Sequence, residues 1–190
     1  MASRREWLET GRSVLERDGA QALTIERLCA ELGVTKGSFY HHFKGIPGFK
    51  EALLTHFEDE HTGRFISDAE IAGASARGRL QRLLDLVLED KNDSDGLETA
   101  LRSWALQDPE VRAFQEHVDG TRIGYLRGLW RDLGAPEAEI EPMARLLYLI
   151  LIGAQQIIPP VPANDLREIY ELVLRLSPHD PSEQQEKDTP

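Results

Sequence analysis

Residues 23–54 read LTIERLCAELGVTKGSFYHHFKGIPGFKEALL, and the placement of the apolar residues within them decides the fold. Ile25, Leu28, Cys29 and Leu32 recur at i, i+3, i+4 and i+7, which lines them along one face of a helix. Thr24 stands where an N-cap belongs, and Glu26 falls in the first turn, where a carboxylate meets the positive end of the helix dipole. Gly33 ends this helix and permits a sharp turn that a side chain would strain. Val34 plugs the angle, and Thr35 opens a short third helix with Phe39 and Phe43 on one side. Two short amphipathic helices joined by a glycine-containing turn are the pattern of a helix-turn-helix, whose second helix enters the DNA major groove. The positions left outward are Thr35, Lys36, Gly37, Ser38, Tyr40 and His41. None is acidic, so the face they form does not repel phosphate.

Working outward, the pattern stays helical. Ser3 with Glu6 three residues on forms a capping box for a first helix, which Gly19 stops. Lys44 to Gly48 reads as a break, with Pro47 as a first-turn residue of a fourth helix reaching about Glu60. A looser stretch follows, then a helix over about Ala76 to Glu89. The polar run Asp90 to Asp95 reads as a loop, and an Asp95/Glu98 capping box opens the next helix, to about Gln107. Asp108-Pro109 signals another helix to Leu133, stopped by Gly134. Two more follow, over about Pro136 to Ile158 and, from an Asp165/Glu168 capping box, to about Leu176. The fold class expected is therefore all-α with about nine helices. Residues 177–190 are polar and proline-containing, and are expected to be a disordered tail.

Charge is divided unevenly. The formal net charge is -11, yet residues 1–50 carry eight Lys/Arg against six Asp/Glu, and the remainder 14 against 27. A mildly basic N-terminal unit on an acidic body permits DNA binding only if it is local and oriented. The single cysteine, Cys29, excludes an internal disulfide and reads as a small core residue. The opening residues contain no apolar run, and the most apolar stretch, Leu146 to Ile158, is 13 residues with two glutamines, short of the ~20 a membrane span needs. A soluble, cytoplasmic protein with no membrane partner is expected.

The run quoted above resembles the N-terminal signature of the TetR family of bacterial transcription regulators. The likeness is dense over residues 4–57 and strongest in Leu32-Gly33-Val34-Thr35-Lys36-Gly37-Ser38-Phe39-Tyr40, followed by His42-Phe43. Beyond residue 60 only the helical layout agrees. The resemblance implies a DNA-binding domain at 1–45 and a ligand-binding and dimerisation domain at 46–176. It implies that Thr24 points a helix N-terminus at phosphate and that Lys36, Ser38 and His41 reach toward bases. Thr35 begins the recognition helix and Gly37 lets its backbone sit close. Tyr40 and Lys44 would meet the phosphate backbone, and His42 would pack or touch backbone. Where the family usually continues with serine and a charged run, this chain has Gly45-Ile46-Pro47-Gly48.

The expected function is a transcriptional regulator, a repressor, that binds a palindromic double-stranded operator as a homodimer and responds to a small molecule. Trp104, His117, Tyr148 and Gln155 are the candidate ligand-binding residues. The apolar stripes Leu147, Leu151, Ala154 and Ile158, and Ile169, Leu172, Val173 and Leu176, are the candidate dimer interface. No cofactor is expected. His56 and Glu60, four apart, share a helix face, but His61 falls five residues from His56, off the i+4 position, so no metal site is expected either. No phosphate loop, nucleophile elbow or HExxH occurs, which speaks against an enzyme. The alternatives are a non-catalytic adaptor carrying a vestigial DNA-binding domain and, behind it, an enzyme whose acid–base residues are scattered along the sequence.

Overall fold

The computed structural model describes residues 2–73 and 75–175, and among these residues the chain is helical without a strand. The helices are α1 (Arg4–Asp18), α2 (Ile25–Leu32), α3 (Lys36–His42), α4 (Gly45–Glu58), α5 (Arg64–Ala72), α6 (Ala76–Ala105), α7 (Pro109–Asp132), α8 (Glu137–Gln156) and α9 (Ala163–Leu174). The expected tail, 177–190, and Leu176 lie outside the described residues.

Local signals decide several boundaries as expected. The Ser3 hydroxyl accepts from the Glu6 amide at 3.2 Å while the Glu6 carboxylate accepts from the Ser3 amide at 2.7 Å. Asp108 Oδ1 accepts from the amides of Glu110 (2.9 Å) and Val111 (3.3 Å), which caps α7. Gly19, Gly33 and Gly134 end their helices at φ 80°, 65° and 75°.

Four boundaries differ from expectation. The break after Lys44 is shorter: α4 starts at Gly45, whose φ of 82° makes the turn, and Pro47 sits inside the first turn, where no amide donor is needed. The looser stretch contains a π-helical turn, Asp59–Gly63, and then α5, held by buried Phe65 and Ala69. The loop expected at Asp90 to Asp95 does not form, because α6 runs unbroken to Ala105. A polar run inside a helix keeps its backbone hydrogen bonds, and the small propensity cost of Asn, Asp and Ser is borne by the packed turns on either side. Finally, α9 begins at Ala163, so Asp165 is a first-turn residue rather than a cap.

The described chain forms two compact units. One combines Met1–His61 with Asp93–His117, the other Thr62–Asn92 with the described residues from Val118 onward. Both α6 and α7 pass through the two units, so the first unit is larger than the helix-turn-helix segment. Its core is aromatic. Phe39 has no exposed surface; Trp7 meets it edge-on at 5.3 Å, and Phe49 lies 5.8 Å from it and 5.0 Å from Phe43. Such rings each contribute about 1.5–3 kcal/mol by burial. The second unit packs Leu80, Leu84 and Leu88 of α6 with Trp130, Leu133, Leu147 and Leu166, and the Tyr170 hydroxyl donates to the Leu147 carbonyl at 3.3 Å.

Candidate nucleic-acid interface

The α2–turn–α3 unit is built from short-range constraints. The Thr24 hydroxyl accepts from the Arg27 amide at 3.2 Å, opening α2. Gly33 adopts the left-handed conformation, and the Val34 amide donates to the Cys29 carbonyl at 3.0 Å, which closes the turn. Phe39 then clamps α3 onto Trp7 and Phe49. Burial of Cys29 raises its thiol above the usual range, in keeping with a core role.

This arrangement leaves Thr35, Lys36, Gly37, Tyr40 and His41 exposed on one side of α3, with Tyr40 at 58%. Lys44 is exposed just beyond α3, and Thr24 is exposed at the head of α2. Ser38 differs from expectation. It is half-buried, and its hydroxyl is shielded and unpartnered. Together with Val34, Thr35, Gly37 and His41 it lines a shallow groove along the helix. His42 turns away, donating from Nε2 to the Ala2 carbonyl at 2.9 Å.

A residue the sequence reading does not assign joins the face from α2. The Glu26 carboxylate pairs with the Lys36 ammonium, across ten positions of sequence. The hydrogen bond with Lys36 lowers the Glu26 carboxyl, and its counterpart raises the Lys36 ammonium. Arg17 and Arg27 share Asp18 and Glu31 in a surface network at 2.7–3.0 Å, which ties the end of α1 to α2. The only signal for these pairs in the sequence is charge alternation, which does not say who meets whom.

Within the same unit, α4 is also joined to α7. The Lys50 ammonium, 17% exposed, reaches Asp108 Oδ2 at 3.0 Å and also pairs with Glu110. His117 Nε2 lies 3.0 Å from a Glu58 carboxylate oxygen.

The candidate ligand residues fall into different units. Trp104 is half-buried and His117 exposed in the first. Tyr148 and Gln155 are buried in the second: the Tyr148 hydroxyl donates to Asp119 at 2.7 Å, and Gln155 Oε1 is shielded without a partner. Of the candidate dimer residues, Leu147, Ala154 and Val173 belong to the protomer's own core, and Leu151 is half-buried against it. Ile158 lies past the end of α8 and is almost wholly exposed, while Ile169 and Leu172 are exposed on α9. The apolar stripe left open on α8 is Leu146 and Leu149, one register away from the expected one. Among the described residues no group of three or more metal-capable side chains gathers, and no helix is long and apolar enough to cross a membrane.

A buried aromatic platform presenting a short helix with exposed Lys, Tyr and His defines the class as a helix-turn-helix DNA-binding protein. Residues 8–56 match the family of bacterial regulatory proteins named for TetR, and the fold of the whole chain is similar to that of solved TetR-family regulators. The fold is shared along most of the chain. A TetR-family regulator from Rhodococcus superposes with a TM-score of 0.77 over 92% of this chain and 97% of its own, at 20% identity. A regulator from Saccharomonospora viridis, solved with choline, gives 0.77 over 90% and 95%, at 18% identity. Reduced NemR of E. coli gives 0.71 over 87% and 95%, at 20%. Among curated proteins, the nucleoid occlusion factor SlmA of Actinobacillus pleuropneumoniae is 29% identical over 98 residues, 50% of this chain and 48% of the relative. The chain thus aligns with about half the length of the curated relatives it matches.

Proposed function

We propose that the protein is a repressor that binds a palindromic operator as a homodimer and is modulated by a small molecule. The observation that carries this reading is the exposed, acid-free face of α3 on a fully packed aromatic base. In this reading Lys36 and His41 reach base edges, and Gly37 with Thr35 allows close approach. Tyr40, Lys44 and the α2 N-terminus capped by Thr24 hold phosphates. Ser38 contributes through the groove wall.

Residues 1–45 would bind DNA and 46–176 would carry ligand and dimer functions. Pairing would use the open stripes of α8 and α9, Leu146 and Leu149 with Ile169 and Leu172, packed across a two-fold axis. The two recognition helices would then meet half-sites roughly 34–36 Å apart. A ligand acts by binding one state of the protein better than the other. Gln155, whose shielded oxygen has no partner, and Tyr148 are the anchors offered by the second unit.

The test is a mobility shift on genomic fragments selected by the wild-type chain. Tyr40→Phe with Lys44→Ala, its fold verified by circular dichroism, abolishes the shift. Unchanged affinity would sink the reading, and failure of the wild-type chain to retain any DNA would favour the adaptor.

A further inference from the structure

The Glu26–Lys36 pair is misplaced if its purpose is stability. Lys36 is the first residue of α3, where a positive charge opposes the helix dipole. Both side chains are well exposed, 58% for Lys36 and 67% for Glu26, and exposed pairs contribute little to folding. Glu26, for its part, sets a negative charge beside a face that would otherwise present none. Glu26 serves α2 as a first-turn carboxylate, but its pairing with Lys36 adds little to the fold and sets a carboxylate beside the phosphate-facing side of α3.

We propose, resting on the DNA-binding reading above, that Glu26 occupies Lys36 in the free chain and so withholds it from random DNA. Against an arbitrary duplex, Lys36 could gain a phosphate only by giving up a carboxylate, an exchange of one oxyanion for another with little net gain. On the operator, the remaining contacts fix α3 deep in the groove, where a guanine offers O6 and N7 together to a lysine. Lys36 then leaves Glu26. The pair lowers general affinity, and on the operator the same release from Glu26 is offset by the contacts that hold α3 in the groove.

The experiment is fluorescence anisotropy of the full chain with a short random-sequence duplex across about 50–200 mM salt, using wild type, Glu26→Gln, Lys36→Gln and the double variant. Glu26→Gln is expected to bind random duplex roughly three- to tenfold more tightly and to steepen the plot of log K against log salt by about 0.9, the contribution of one phosphate contact. In the Lys36→Gln background the same substitution leaves the slope unchanged, which separates release of Lys36 from loss of one negative charge. An unchanged slope on Glu26→Gln, or an equal change in both backgrounds, would overturn the proposal while leaving DNA binding intact. A wild-type chain that binds no duplex at any salt overturns the DNA-binding reading, and this proposal with it.

Discussion

The Lys50 ammonium on α4 lies 3.0 Å from Oδ2 of Asp108, the same carboxylate whose other oxygen caps α7. One side chain therefore opens α7 and fastens it to the element that follows the recognition helix. The Lys50 hydrogen bond, with smaller help from the capped amides, holds the Asp108 carboxyl below the usual carboxylate range. A depressed pKa contributes stability that is present above the unfolded value, about 3.9, and is lost as pH falls through the folded value. Asp108→Asn keeps a capping side chain and removes the charge. It is expected to cost about 1 kcal/mol at neutral pH. That difference shrinks in acid and vanishes below the depressed pKa, as urea titrations across pH 2–7 would read.

Gly37 separates folding from binding. A Cβ there would meet only Thr35 Oγ1, at 3.6 Å, an ordinary contact. Alanine is the better helix former by about 1 kcal/mol. Gly37→Ala should therefore raise the melting temperature while weakening operator binding by roughly tenfold, or 1.4 kcal/mol. Thermal melts and anisotropy on the same preparation check both arms.

Gly11 marks the opposite case. A Cβ on this buried residue of α1 would fall 3.0 Å from Phe49 Cε1 and closer still to its Cζ. Phe49 is itself wedged between Phe39 and Phe43, so it has nowhere to yield. Gly11→Ala is expected to destabilise the first unit by about 1–3 kcal/mol despite its better helix propensity. Phe49→Leu in the same chain should recover part of the loss in chemical denaturation.

Neighbouring leucines of α8 should behave oppositely. Leu147 is 2% exposed in the protomer core, and Leu147→Ala should cost about 2–5 kcal/mol of stability. Leu149 is 65% exposed, so Leu149→Arg should leave the protomer folded and, on the proposed pairing, convert dimers to monomers. Sedimentation velocity, read beside far-ultraviolet dichroism, distinguishes the two.

The α8 register shows where sequence reading stops. Between Leu146 and Ile152 all seven residues are apolar, so every face of the helix qualifies as inward. A stripe beginning at Leu147 and one beginning at Leu146 differ by one residue, or about 100° of rotation. Only the packing of Leu147 against Tyr170 and Leu166 decides between them. The α6 run fails for a related reason. Polar residues signal a loop when nothing else constrains them, but here packed leucines on both sides continue the same helix.

The helix-turn-helix was legible because its determinants are local. The caps at Ser3, Thr24 and Asp108, the glycine turns and the i, i+3, i+4 apolar rows act between residues a turn or less apart. They set α1, α2, α3 and the TetR-like face before any tertiary contact is considered. What the tertiary structure alone decided is which exposed charges meet. It brings Glu26 to Lys36 across ten residues and Lys50 to Asp108 across fifty-eight, and it turns the Ser38 hydroxyl inward. Such pairings depend on how whole helices are rolled and spaced by their buried faces, and a polar surface carries no record of that in its own spacing.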